Sequence, residues 1–339
     1  MLLRVTFLLL TLTSTSIALA GPLPAYLRDG GTRFLFRTFG TTCYSMDSIE
    51  RGLPCNPAFI AKNDKKRFDS DLFLGTNMDY LSDVDDMVNG HATPEQVNRI
   101  FSRREASQAE ASLEAAFQAR TWGLSVEPYR LVFYTDIHNS SLPAVNFIGA
   151  EEKSLKLQFS SYVSHNFYAG IQLRYTHVKF VGNYIMLTEA LADDSEEIFR
   201  ARTQDLFYIE PGFVYSWDDE VWKPQVSAMF SQWGFANEKS EQYPVKPQGM
   251  LGASIKPPVG LGVFEVGTQV AVGADTQHWQ EAVRAAMAYK IGILQLALSG
   301  GQRDHSAGFL LGYKNITSGL SYWGQDRDSG VYISFGVTL

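Results

Sequence analysis

The sequence predicts an all-β fold: a single closed antiparallel transmembrane β-barrel of about 14 strands, with an N-terminal segment ahead of it and one helical extracellular loop. Three observations predict it. From residue 68 onward, segments of about ten residues alternate polar and apolar side chains. The connections between these segments alternate short and long. An export signal opens the chain, and no later run of about 18 apolar residues offers a membrane helix.

Composition agrees. Of 339 residues, 19% are charged and 13% are aromatic, and a soluble domain usually carries about 25% charged residues. The net charge of −7 excludes a basic footprint for nucleic acid.

Residues 1–20 read as a secretory signal peptide. Arg4 is the positive start, Phe7 to Leu12 lead the apolar core, and Ala18-Leu19-Ala20 is a small-x-small cleavage site. An exported chain holds Cys43 and Cys55 either as one disulfide or as two free thiols, and an even pair in an oxidising compartment favours the disulfide. Two cysteines and six scattered histidines have no zinc-ligand spacing, so no metal or cofactor is expected.

Residues 21–67 contain Pro22, Pro24, Gly30, Gly31, Gly40 and both cysteines. This stretch is expected to fold into the lumen as a plug or to form a periplasmic tail. Near its end stands Cys55-Asn56-Pro57-Ala58-Phe59. The turn Asn56-Pro57-Ala58 resembles the N-terminal motif of the fatty-acid-transporter-like (FadL-like) outer-membrane barrels, a group with relatives in protein secretion and plasmid transfer. The motif covers a few residues. The resemblance implies hydrophobic substrates, taken up on the extracellular side and released past an N-terminal plug.

The barrel is placed at 68–339. Strands are expected at 68–80, 112–126, 129–138, 154–164, 167–180, 205–217, 222–236, 248–256, 259–272, 282–290, 293–302, 306–314, 316–325 and 329–339. Short turns fall at Glu127-Pro128, His165-Asn166, Asp218-Asp219-Glu220, Pro257-Pro258, Ile291-Gly292 and Asn315, and long links at 139–153, 181–204, 237–247 and 273–281. Short turns at one end and long loops at the other are the pattern of outer-membrane barrels, with the short turns periplasmic. Between the first two strands, Thr93-Pro94-Glu95-Gln96 is a capped helix start, Val97, Ile100 and Phe101 share a face, and residues 105–111 continue as helix formers. Asp83, Asp85 and Asp86 before it lack an EF-hand pattern and read as a solvated acidic loop.

Val331, Ile333, Phe335, Val337 and Leu339 alternate with polar or small residues. Such a strand resembles the signal of bacterial outer-membrane proteins, and so implies the barrel assembly machinery as a partner. Aromatics near strand ends fit an interfacial girdle beside outer-membrane lipid. The other strand faces nominate lumen-lining residues: Asp71, Asp79, Arg120, Arg130, Asp136, Arg174, Glu210, Glu265 and Arg284. Both signs are present, so no single-sign ring argues for ion selectivity.

The expected function is passive movement of small, hydrophobic solutes across the outer membrane. The alternative is a scaffold or shuttle for a secretion or conjugation system. An enzyme is not expected: Ser164-His165 and His305-Ser306 are isolated neighbours without a hydrolase motif.

Overall fold

The computed structural model describes residues 25–28, 33–48, 51–76, 107–138, 144–186, 201–240, 242–273, 282–302, 304–325 and 328–339. The signal peptide, Asp79, the acidic loop and the helix start at Thr93 lie outside them.

Among the described residues, fifteen strands form one antiparallel sheet: β1 (Arg67–Thr76), β2 (Ser107–Gln118), β3 (Trp122–His138), β4 (Ala144–Ser164), β5 (Phe167–Met186), β6 (Arg202–Ser216), β7 (Gln225–Ser231), β8 (Gly234–Ala236), β9 (Gln248–Ile255), β10 (Val263–Gly273), β11 (Val283–Ile291), β12 (Leu294–Gly301), β13 (Asp304–Tyr313), β14 (Ile316–Gln325) and β15 (Asp328–Thr338). Chain neighbours pair in order, and β1 pairs with β15 to close the ring. β7 pairs with β9, while the short β8 continues past β7 and pairs only with β6. The wall is therefore a closed barrel of 14 strands, and β8 is one extra strand.

The barrel is inside out relative to a soluble protein. Leu72, Leu113, Leu155, Leu173, Ile209 and Leu298 are exposed on its outside. Their chain neighbours Asp71, Glu114, Lys156, Arg174 and Glu210 are buried within. An apolar band running around every strand far exceeds the few hundred Å² that a soluble surface tolerates. It has to meet lipid, and closure satisfies every strand edge there. Among the described residues, no helix is long and apolar enough to cross a membrane; the strands cross it.

Several expected boundaries move, each for a local reason. The turn placed at Glu127-Pro128 is a bulge inside β3, where the register with β4 shifts between Glu127 and Arg130. Proline lacks a ladder N–H, and a bulge is where a strand accommodates that loss. The true β2–β3 turn lies at 119–121. Residues 107–111, expected to be helical, pair with β3, and 109–111 pair with β1 as well. Their helix propensity yields to a period of two in which Glu110, Ser112 and Glu114 are buried and Leu113 and Phe117 are exposed. The link placed at 139–153 is largely strand, because β4 begins at Ala144.

β3, β4 and β5 run 17, 21 and 20 residues. A strand needs about 9–11 residues to cross lipid, so this sector stands well beyond the membrane at the end with the long links. The short-turn end is built from residues at positive φ, including Asn166 (62°), Gly292 (54°) and Lys314 (52°).

The N-terminal segment occupies the barrel interior. It comprises α1 (Ala25–Arg28), α2 (Arg33–Phe39), a 3-10 turn (Gly40–Tyr44) and α3 (Phe59–Asn63). All seven residues of α2 are buried. Leu35, Phe36, Phe39, Tyr44 and Met46 pack against Met229, Met250, Ala286, Ala288 and Ala297 of the wall. The alanines on β11 and β12 leave room for the helical segment.

Candidate functional site

The site is the filled lumen. Its centre is an ionic cluster between α2 and strands β2–β4. Arg33 and Arg37 stand four residues apart on α2 and so share a face. Arg33 makes a two-pronged pair with Glu127, Nε to Oε1 at 3.0 Å and Nη2 to Oε2 at 2.9 Å. Arg37 donates twice to Glu110 Oε2, from Nε at 3.0 Å and Nη2 at 2.5 Å. Arg130 of β3 donates to Glu110 Oε1 at 2.7 Å, to Glu152 of β4, and to the carbonyl of Leu27 at 2.6 Å. Lys156 pairs with Glu114 at 3.1 Å beside it. Forked guanidinium–carboxylate pairs fix geometry as well as charge.

Further pairs flank this cluster, where Asp71 stands opposite Glu114 and Arg174 opposite Lys156, and lie elsewhere around the ring. Arg174 of β5 pairs with Glu210 of β6 at 3.1 Å and lies 3.9 Å over the Tyr208 ring. Arg51 pairs with Asp71 of β1 at 2.5 Å. Glu265 of β10 accepts the backbone N–H groups of Asp47 (3.2 Å) and Ser48 (2.8 Å). Asp47 itself meets Lys62 at 3.1 Å and Lys256 in the β9–β10 turn. Burial works against the Asp47 charge, but the two lysines outweigh it and hold the carboxyl below its usual range. Burial likewise opposes the Lys256 charge, and Asp47 outweighs it to raise the ammonium.

Asn56-Pro57-Ala58 docks on the wall near the short-turn end. Asn56 is fully buried. Its Oδ1 accepts the Ala58 N–H at 3.0 Å, and its Nδ2 donates to the carbonyls of Tyr44 (3.3 Å), Phe213 (3.4 Å) and Ala228 (3.4 Å). The Cys43–Cys55 disulfide, with Cα atoms 5.7 Å apart, ties this turn to the 3-10 segment.

Of the residues nominated from strand faces, Asp71, Arg130, Arg174, Glu210 and Glu265 are buried inside the barrel. Arg284 pairs with Asp304 there. Asp136 is partly buried on β3, opposite Asn146. Arg120 is a correction: its side chain sits in the β2–β3 turn, 69% exposed, beside Asp64 at 3.5 Å. The moved turn explains it. Glu110, Glu114, Glu127 and Glu152 were not nominated. Reading residues 107–118 with a period of two would have found the first two.

Sequence reasoning also missed an apolar inner face. Val132, Ile148, Val178, Phe180 and Leu206 of β3–β6 are buried on the lumen side, above the ionic cluster. Leu27 and Tyr243 pack on them. Two small cavities lie between segment and wall among the described residues. One of about 20 Å³ lies beside the disulfide, and one of about 70 Å³ lies among Arg37, Arg284, His305, Trp323 and Tyr332.

No family model and no curated protein sequence matches this chain. Solved membrane barrels do resemble it in structure. The chain is weakly similar to hydrocarbon channels of the FadL-like kind. The Pseudomonas putida toluene transporter TodX shares 10% identity over 94% of this chain and 98% of its own, with a TM-score of 0.44. The monoaromatic hydrocarbon channel CymD shares 9% over 84% of this chain and 90% of its own, at 0.41. CdiB from Acinetobacter baumannii shares 9% over 81% of this chain, at 0.38, and the chain spans 60% of CdiB's length.

Proposed function

We propose that the protein is an integral outer-membrane barrel for passive passage of a small hydrophobic solute, with residues 21–67 as its plug and 68–339 as its wall. The observation that carries this reading is the apolar inner face of β3–β6. Barrel interiors are ordinarily polar, and an apolar patch at the long-link end suits a hydrophobic guest. The plug fills the passage below it, so passage requires the plug to shift. The alternating outer face of β15, with Ile333, Phe335 and Val337 exposed, suits recognition by the assembly machinery.

A static secretion or conjugation scaffold is the second reading, favoured by how firmly the Arg33, Arg37 and Arg130 network ties the segment to the wall. Uptake of small hydrophobic probes into proteoliposomes separates the two. Solute-dependent uptake above that of empty liposomes supports transport. No uptake by folded, inserted protein, in wild type and after weakening the Arg33 pair, leaves the scaffold.

A further inference from the structure

The apolar inner face is not empty: the chain fills it with a phenol of its own. Tyr243 comes from the 237–247 link between β8 and β9 and is 3% exposed. Its ring centroid lies 5.2 Å from that of Phe180. Its hydroxyl donates to Glu152 Oε1 at 2.9 Å. The other oxygen of Glu152 takes Arg130. The carboxylate is thus neutralised by a fixed guanidinium and still presents an acceptor to the slot.

Tyr243 does not belong to the wall. It is carried on a strap whose outer part, Asn237 to Lys239, is solvent-exposed. The hydrogen bonds that hold the strap inward include Gln204 Nε2 to the carbonyls of Glu238 (2.8 Å) and Tyr243 (3.3 Å) and Arg28 Nη1 to the carbonyl of Pro244 (2.9 Å), while Asn237 at its start is tied to Asp205. The Arg28 bond comes from α1, so the strap also touches the N-terminal segment. A side chain tethered this way competes with free ligand at an effective concentration in the millimolar range.

We propose that the slot bounded by Phe180, Ile148, Val178, Leu27 and Glu152 is a binding site for a neutral phenol or similar aromatic alcohol, which enters by displacing Tyr243. This rests on the transport reading for its purpose and narrows it from any hydrophobic solute to a ring that carries a hydrogen-bond donor. The apolar walls take the ring. Glu152 reads the hydroxyl, and a hydrocarbon of the same shape leaves that buried acceptor without its donor.

The test compares 4-ethylphenol with ethylbenzene on refolded full-length protein. Binding is measured by equilibrium dialysis against matched micelles. A Cβ at Gly182 would lie 2.8 Å from Gln242 Cγ, so the Gly182→Cys/Gln242→Cys pair pins the strap inward when oxidised. Wild type should bind 4-ethylphenol saturably and about tenfold or more tighter than ethylbenzene. The oxidised pair should lose this binding and recover it on reduction. Tyr243→Phe, which removes only the competing hydroxyl, should bind the phenol several-fold tighter. Equal affinity for the two ligands, or unchanged binding in both the oxidised pair and Tyr243→Phe, overturns the site. Proteoliposome uptake is scored separately: phenol binding without uptake overturns the transport reading and leaves the site standing. Uptake of ethylbenzene and phenol alike, without preference in binding, does the reverse.

Discussion

The side-chain carbonyl of Asn56 occupies the space that a Cβ at Gly212 would need. The wall and the Asn-Pro turn are shaped to each other there. Gly170 on the neighbouring strand is matched in the same way: its Cβ would fall 2.6 Å from the carbonyl carbon of Pro57. Neither glycine has positive φ, so the requirement is space rather than backbone conformation.

Gly212→Val is therefore expected to weaken the docking of the turn while leaving the ladder intact. Overpacking of a close contact costs about 1–3 kcal/mol. Limited proteolysis in micelles checks it. Cleavage within residues 33–63 should quicken, while the barrel fragment stays resistant. Equal cleavage rates in variant and wild type refute the close fit.

Arg33 and Glu127 are both buried and each is satisfied by the other. Removing one partner strands the second, which costs about 3–5 kcal/mol, whereas replacing both with apolar residues is often nearly neutral. Glu127→Ala should lower the urea midpoint of the folded protein. Arg33→Met/Glu127→Met should restore much of the loss. A double variant as unstable as the single one would mean that Glu127 acts through Ser154, which donates to it at 3.1 Å, rather than through Arg33.

The wall was legible in the sequence because lipid outside and ion pairs inside impose a period of two on each strand. Val331 to Leu339 shows it without interruption. The reading failed where two rules competed. Residues 107–111 are helix formers that long-range pairing turns into strand. Pro128 is a turn residue that a bulge absorbs. The lumen was half legible. Arg130 and Glu210 could be taken from strand faces, but Arg33 and Arg37, which pair with Glu127 and Glu110, depend on how the N-terminal segment threads the ring. The apolar inner face was hidden for a simpler reason. At Val132, Ile148 and Val178 the inward residues turn apolar while Lys153, His177 and Lys179 stand outside, so the pattern inverts once the strands leave the membrane.

That inversion sets a third expectation. Leu173 is 40% exposed on the outer face and its neighbour Arg174 is buried inside. Leu173→Arg near the bilayer midplane should cost about 2–4 kcal/mol. Unfolding in bilayers and in micelles should differ, with the larger loss in bilayers, where water cannot reach the new charge as easily. A variant as stable as wild type in bilayers would place the lipid boundary elsewhere on β5.

The junction of Asp47 with Lys62 and Lys256 ties the segment to the β9–β10 turn, and it should make that attachment depend on pH. Asp47 titrates below its unfolded value of about 3.9. A depressed carboxyl contributes stability that is fully present above the unfolded value and is lost as pH falls through the folded one. Lys256 titrates above its unfolded value of about 10.4. A raised ammonium contributes stability that is complete below the unfolded value and is lost as pH rises through the folded one. Attachment should therefore be flat across neutral pH and weaken at both extremes. Protease access to residues 44–63, followed from pH 3 to pH 11 with acid- and alkali-tolerant proteases, reads it directly. Asp47→Asn should loosen the segment at neutral pH, and the gap between variant and wild type should narrow as the solution is acidified. A gap that stays constant down to pH 3 would mean that Asp47 holds the segment through hydrogen bonding alone, without its charge.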